Sequence, residues 1–141
     1  MKSCVVIYNP NSGHTLKTKH LKEYKIILEK HGYSARFIGT EYRGHAKEII
    51  SHLDKCDLVI SMGGDGTFNE AVTGNLQRKD RLVLAHIPVG TTNDVGVMFG
   101  YGKDIKRNLS LLLNGVTKEM DICIINGQPF VYVAGFGKFM H

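Results

Sequence analysis

The chain has 141 residues, of which 43% are hydrophobic and 22% charged, and it carries a net charge of +5. These values predict a soluble globular protein of one domain with a sizeable core, and the sequence contains no low-complexity tract and no convincing internal repeat. No apolar run approaches the roughly 18 residues of a membrane span. The three widely spaced cysteines predict reduced thiols rather than disulfides or a zinc site.

Strand-like and helix-like segments alternate along most of the chain. Runs rich in β-branched residues predict strands, and apolar residues three and four positions apart predict helices. The predicted strands are Cys4–Tyr8, Ala35–Ile38, Leu58–Met62 and Leu82–Ile87, and the predicted helices are Leu16–His31, closed by Gly32, His45–Leu53, Thr67–Asn75 and Asp104–Asn114. This order predicts an α/β fold with three layers, in which a mainly parallel sheet is covered by helices on both faces.

The pattern changes after Lys118. Strands are predicted at Met120–Ile125 and Phe130–Ala134, and they are joined around Asn126-Gly127, a strong hairpin sequence. No further helix is predicted. We therefore expect an α/β domain over residues 1–117 and, in residues 118–141, the first strands of a truncated second, antiparallel β-domain.

Three polar loops follow predicted strands, at the sheet edge where open α/β folds bind their ligands. They run from Asn9 to Gly13, from Gly63 to Glu70 and from Pro88 to Asp94. Taken alone, the first loop is more simply explained as a turn, and the third is explained equally well by a turn and by a ligand. The second loop is predicted to bind a ligand, because a tight turn accounts for its glycines but not for the aspartate between them.

The second loop reads Gly-Gly-Asp-Gly-Thr-Phe-Asn-Glu. Its glycines allow the backbone to approach a ligand closely. Thr67 and Glu70 have the spacing of a capping box, which predicts that a helix begins at Thr67 and points its N-terminal amides at a phosphate. A carboxylate beside phosphate requires a cation between them, so Asp65 predicts an indirect, water-mediated magnesium contact. The loop is neither a Walker A motif nor Gly-x-Gly-x-x-Gly.

Together, the loops resemble the catalytic domain of diacylglycerol kinases, the family that includes sphingosine kinases and bacterial lipid kinases. The matching motifs are Asn9-Pro10-x-Ser12-Gly13, Thr40 with Gly44-His45-Ala46, Gly63-Gly64-Asp65-Gly66-Thr67-x-Asn69-Glu70 and Pro88-x-Gly90-Thr91-x-Asn93-Asp94. The Gly-Gly-Asp-Gly core by itself is also similar to loops of NAD kinases and phosphofructokinases. The first and third loops favour the lipid kinases.

The resemblance implies that ATP and Mg²⁺ bind across these loops, and that Asp65 and Asp121 are the catalytic residues within this chain. The residues implied to bind the cofactor are Asn9, Pro10, Asn11, Ser12, Gly13, Thr40, Gly63, Gly64, Asp65, Gly66, Thr67, Asn69, Glu70, Gly90, Thr91, Asn93 and Asp94. It also implies that the catalytic base, a glutamate, and a structural magnesium site belong to the missing part of the second domain. His14 departs from the family pattern, since bacterial members often have Lys there; Lys17 is a candidate replacement.

The expected activity is that of a cytoplasmic ATP-dependent lipid kinase of phospholipid metabolism, with diacylglycerol as the acceptor and peripheral contact at the inner face of the membrane. A different lipid acceptor remains open. The alternatives are an NAD kinase-like enzyme, a non-catalytic nucleotide-binding module, and a basic anion- or nucleic-acid-binding domain, although no nucleic-acid recognition motif is present.

Two surface features remain to be explained. Five lysines, at positions 17, 19, 22, 25 and 30, are opposed only by Glu23 and Glu29. They predict a solvated helix face or, alternatively, attraction to an anionic membrane or a polyanionic ligand. The apolar segment Val131–Phe139 would favour self-association into a homodimer.

Overall fold

The computed structural model describes residues 1–12, 16–89, 104–114, 117–119, 122–125, 128–131 and 138–140. The strands are β1 (Lys2–Tyr8), β2 (Tyr33–Gly39), β3 (Leu58–Gly63), β4 (Leu84–Pro88), β5 (Thr117–Glu119), β6 (Ile122–Ile125), β7 (Gln128–Val131) and β8 (Lys138–Met140). The helices are α1 (Thr18–Lys30), α2 (His45–His52), α3 (Asp65–Leu76) and α4 (Ile105–Leu113).

The main sheet has the strand order β2-β1-β3-β4-β8-β5, and its first four strands are parallel. β8 runs antiparallel to β4 and parallel to β5. The pair β6 and β7 forms a separate antiparallel sheet, which confirms antiparallel pairing of the strands predicted on either side of residues 126 and 127; these two residues lie outside the described part of the chain. The predicted α/β fold is therefore confirmed, whereas the predicted domain boundary at residues 117 and 118 stays a prediction.

Alternate residues of the central strands face two separate apolar clusters. In β1, Cys4 and Val6 pack with α1 and α4, whereas Val5 and Ile7 pack with α2 and α3. A strand buried on both faces is mostly apolar, and β3 is buried along its whole length, with Ser61 as its one polar side chain. This arrangement confirms the three predicted layers: α1 and α4, the sheet, and α2 and α3.

Glycine defines the boundaries of two helices. Gly32 follows α1 with a φ of +86°, a left-handed conformation that only glycine adopts readily, and the predicted helix stop is confirmed. Gly44 precedes α2 with a φ of +91°. Both turns fix the direction in which the chain enters or leaves the sheet.

The predicted start of α3 was wrong. The helix begins at Asp65 instead of Thr67, with Gly64 as its extended N-cap and without a side-chain cap among the described residues. Glu70 does not close a capping box, because its Oε1 accepts a hydrogen bond from the backbone N–H of Ala46 at 3.2 Å. Glu70 therefore satisfies an amide in the first turn of α2, and a tertiary contact has replaced the local one.

The helices α2 and α3 are held together by close backbone approach and by one arginine. A Cβ on Gly74 would lie 2.5 Å from the carbonyl oxygen of Lys47. Arg78 donates from Nη1 to the carbonyl oxygens of Ile50 and Leu53, at 2.8 and 2.7 Å, and so caps the C-terminal end of α2. These contacts fix α2, and the loop that precedes it, against α3.

We predict that Gly74→Ala lowers the free energy of unfolding by about 1–3 kcal/mol, because the added methyl group must displace backbone atoms of α2. Gly66→Ala in the same helix is the matched control. A Cβ at Gly66 meets no described atom within 4 Å, so the free energy should stay the same or rise by up to about 1 kcal/mol through helix propensity. Chemical denaturation measures both, and equal effects would contradict the proposed helix contact.

Candidate functional site

A cavity of about 350 Å³ lies at the carboxyl edge of β1, β2 and β3. Its walls are the segments that follow these three strands and the first turns of α3. The lining residues are Asn9, Asn11, Ser12, Thr40, Glu41, Tyr42, Arg43, Gly64, Gly66, Thr67 and Glu70. The lining is polar, and its position is that of ligand sites in open α/β sheets.

The loop after β1 is a pre-formed turn. The backbone N–H of Asn9 donates to the carbonyl of Met62 at 3.0 Å, which ties the loop to the end of β3. The Asn9 side-chain oxygen accepts from the N–H of Asn11, and the Asn9 carbonyl accepts from the N–H of Ser12, both at 3.0 Å. These hydrogen bonds of Asn9 form the turn, and the turn places Asn9, Asn11 and Ser12 at the cavity.

The glycines of the second loop have different roles. Gly63 has no room for a side chain, because a Cβ would lie 2.6 Å from Thr67 Oγ1 and 2.9 Å from Thr67 Cβ. Gly64 and Gly66 have open space where a Cβ would be, and both line the cavity. A ligand can therefore approach the backbone at the N-terminus of α3, where the helix dipole favours negative charge.

The rim of the cavity contains three side chains that the sequence analysis missed: Glu41, Tyr42 and Arg43. The Tyr42 ring stacks on His45 with a centroid distance of 4.4 Å and an interplanar angle of 14°. The Tyr42 hydroxyl donates to the Glu48 carboxylate, a hydrogen bond that raises the pKa of Tyr42. The only sequence signal was their position between Thr40 and the Gly44-His45-Ala46 motif.

A hydrogen bond from the backbone fixes the tautomer of His45. The N–H of Glu41 donates to His45 Nδ1 at 3.0 Å, so Nδ1 is the accepting nitrogen and the ring proton is on Nε2. The stacked Tyr42 ring is therefore held from both ends, by His45 beneath it and by Glu48 at its hydroxyl. Such an aromatic side chain is positioned before any ligand arrives.

The structure brings eight of the predicted ligand-binding residues to the cavity and places four others beside it. The eight are Asn9, Asn11, Ser12, Thr40, Gly64, Gly66, Thr67 and Glu70, and the four that do not line it are Pro10, Gly63, Asp65 and Asn69. The predicted residues Gly13, Gly90, Thr91, Asn93, Asp94 and Asp121, with His14, lie outside the described residues. The described residues contain no cluster of three or more His, Cys, Asp or Glu that could hold a metal. The role of Asp65 toward magnesium therefore stays a prediction.

A buried polar pair lies beneath the first turns of α3. His86 is 0% exposed; its Nδ1 lies 2.7 Å from Ser61 Oγ, and its ring stacks on Phe68 at 4.6 Å. The Ser61 hydroxyl can donate to the Ala85 carbonyl at 3.4 Å. If the ring proton of His86 is on Nδ1, it can donate to Ser61 Oγ, and both donors then have an acceptor. His86 Nε2 is then a buried acceptor with no hydrogen-bond partner among the described residues.

The sequence profile of the diacylglycerol kinase catalytic domain matches residues 3–125. The chain belongs to this family. The predicted resemblance is thus confirmed over most of the chain, and the cavity lies among the loops that carry it.

Curated relatives and solved structures agree with the family assignment. The chain is 39% identical over 141 residues to the diacylglycerol kinase of Bacillus subtilis strain 168, covering 98% of this chain and 46% of that protein. It is 38% identical to a diacylglycerol kinase of Staphylococcus epidermidis, covering 97% and 44%. A crystal structure of a diacylglycerol kinase from Bacillus anthracis str. Sterne superposes with a TM-score of 0.75 at 28% identity, covering 92% and 45%.

The chain spans about half the length of the curated relatives that it matches. None of the helices in the described part of the chain is long and apolar enough to cross a bilayer.

We predict that His86 makes folding stability fall with acidification. Burial lowers the pKa of His86 from 6.5 to about 3. The neutral ring is favoured in the folded state, so its contribution is complete above pH 6.5 and is lost as the pH falls toward 3, by at most about 1.4 kcal/mol per pH unit.

Denaturation at stepped pH values, on the wild type and on His86→Leu, measures this dependence. The leucine variant removes the titrating ring and should show a shallower loss of stability between pH 6.5 and 3, the interval set by the two pKa values. An unchanged slope in the variant would show that other groups dominate acid unfolding.

Proposed function

We propose that this chain is the nucleotide-binding part of an ATP-dependent lipid kinase, which transfers the γ-phosphate of ATP to a lipid hydroxyl. One observation supports this most directly: the glycine turn at the N-terminus of α3 opens onto a polar cavity, with open space at both Gly64 and Gly66. Family membership supports a kinase, and a kinase of this family uses ATP as the phosphate donor.

The cavity provides what phosphoryl transfer requires, which is positioning and neutralisation of charge. The first turn of α3 offers backbone N–H groups and a positive dipole end to the phosphates. Arg43 adds a permanent cation at the rim, and the polar groups of Asn11, Ser12 and Thr40 face the same space. The cavity of about 350 Å³ is large enough for the phosphate part of a nucleotide.

The residues around the cavity also fit magnesium, which typically takes one or two carboxylates together with phosphate oxygens and water. Asp65, at the first position of α3, would hold it through water beside the phosphates. When bound, the ion would neutralise charge on the phosphates. The role of this chain is to place the nucleotide and that carboxylate on the same helix end.

The acceptor is proposed to be diacylglycerol, which gives phosphatidic acid, and it would be reached by peripheral contact at the inner face of the membrane. The relatives are more than twice as long as the matched region, and we propose that their remaining part supplies the catalytic base. Asp121, just before β6, would join the charge network near the phosphates. This chain alone should therefore bind nucleotide and show little or no turnover.

We predict that ATP binding requires both the carboxylate at position 65 and open space at position 66. Calorimetric titration with ATP and magnesium should show affinity at least about tenfold lower for Asp65→Ala and for Gly66→Val. The matched control is Asp54→Ala, which removes the same charge at an exposed position after α2. Equal weakening in the control would indicate an effect of overall charge.

Other outcomes of binding and transfer assays would contradict the proposed site or favour an alternative function. Saturable ATP binding that is insensitive to both site variants, in folded protein, would contradict the proposed site. Phosphate transfer to NAD instead of diacylglycerol, in assays of a full-length protein that contains this chain, would favour an NAD kinase-like enzyme. Binding without transfer to either acceptor in that protein would indicate a non-catalytic nucleotide-binding module.

A further inference from the structure

The rim of the cavity presents an aromatic ring to solvent. Four large hydrophobic side chains are exposed in the described part of the chain: Met1, Ile26, Tyr42 and Leu111. Of these four, Tyr42 is the one that lines the cavity, and it is 52% exposed. Ligand pockets are commonly lined by aromatic side chains together with a few polar groups. The position of Tyr42 therefore indicates contact with a ligand.

Contacts at both ends of the Tyr42 side chain hold its ring in place. The ring of His45 stacks on it with a centroid distance of 4.4 Å and an interplanar angle of 14°. The N–H of Glu41 donates to His45 Nδ1 at 3.0 Å and so fixes the His45 ring in turn. The Tyr42 hydroxyl donates to the carboxylate of Glu48. A side chain held in this way loses little rotamer freedom when a ligand binds, which favours affinity.

These contacts leave one face of the Tyr42 ring uncovered. His45 covers the other face, so the exposed part of the ring is the face turned away from His45. If Tyr42 served only to anchor the loop before α2, burial of both faces would stabilise that loop more, because removing apolar area from water is favourable. The ring instead forms a flat apolar surface beside a polar cavity.

Another wall of the same cavity indicates which ligand can lie on this ring. Gly64 and Gly66 line it at the N-terminus of α3, where backbone N–H groups favour phosphate. A ligand that places its phosphates there and extends to Tyr42 needs a flat ring at its other end. A nucleobase has this shape. A lipid acyl chain does not, and it would meet the charged side chains of Glu41 and Arg43, which line the same rim.

We propose that Tyr42 is the stacking surface for the base of a purine nucleoside triphosphate whose phosphates lie at the N-terminus of α3. This inference rests on the proposed function, which accounts for the phosphates but assigns no residue to the base. Stacking on an aromatic side chain stabilises a bound base, and its strength varies with the base. A purine has two fused rings and covers more of the tyrosine than a pyrimidine, so the ring selects purine nucleotides.

The test compares ATP with inorganic tripolyphosphate, which carries phosphates without a base. Each is titrated calorimetrically in the presence of magnesium. Tyr42→Ala removes the ring, and Tyr42→Phe is the matched control, because it keeps the ring and removes only the hydrogen bond to Glu48. Circular dichroism checks that both variants are folded.

We expect Tyr42→Ala to lower the affinity for ATP by about 5- to 100-fold and to change the affinity for tripolyphosphate by about twofold or less. Tyr42→Phe should lower the affinity for ATP by about threefold at most. UTP should bind the wild type about fivefold or more weakly than ATP, and this difference should largely disappear in Tyr42→Ala, since the smaller base loses less stacking.

Fluorescence gives a second readout that a purely structural role of Tyr42 would not change. The chain contains no tryptophan, so Tyr42→Trp introduces a single reporter at the rim of the cavity. A base stacked on the indole ring alters its emission, whereas phosphates bound at the end of α3 do not touch it. ATP should therefore quench the emission of this variant in a saturable manner, and tripolyphosphate should leave it unchanged.

Equal losses of ATP and tripolyphosphate affinity in Tyr42→Ala would overturn the proposal, because the ring would then support the phosphate site instead of the base. Unchanged ATP affinity in Tyr42→Ala, or the same emission of Tyr42→Trp with and without saturating ATP, would also overturn it. If ATP binding by the wild type still depends on Asp65, these results reject the stacking surface alone. No ATP binding by folded wild-type protein would contradict the proposed function as well.

Discussion

The junction between β3 and α3 is the constraint on which the rest of the site depends. Gly63 ends β3, pairs in register with Pro88 of β4, and accepts a hydrogen bond from the N–H of Val89 at 2.9 Å. Thr67 packs where a side chain on Gly63 would be. The first turn of α3 therefore packs against the end of the central strand, and its N-terminal amides are held at the carboxyl edge of the sheet.

The second helical layer extends this constraint to the cavity rim. Close approach at Gly74, the capping of α2 by Arg78, and the bond from Ala46 to Glu70 fix α2 relative to α3. The loop before α2 carries Glu41, Tyr42 and Arg43, so the position of the rim follows from packing between helices some distance away. The cavity is thus assembled from loops whose ends are anchored in a rigid layer, which is how open α/β sheets commonly present their ligand sites.

The two helical layers differ in charge and in exposed apolar side chains. The α2 and α3 layer is neutral overall and shapes the proposed nucleotide site. The α1 and α4 layer carries nearly all of the net charge and leaves Ile26 and Leu111 exposed.

The sequence alone determined the α/β fold, the order of its elements and the family, since apolar periodicity and the glycine motifs are local properties of the chain. It also predicted that eight residues which line the cavity share one site, because the loops that follow parallel strands lie at the same edge of a sheet. The start of α3, the role of Glu70 and the rim at Tyr42 were decided only by tertiary structure. Thr67 and Glu70 have capping-box spacing, but Glu70 satisfies an amide 24 residues away. A local sequence pattern cannot show whether Glu70 caps its own helix or bonds to α2, because this depends on how closely α2 packs against α3.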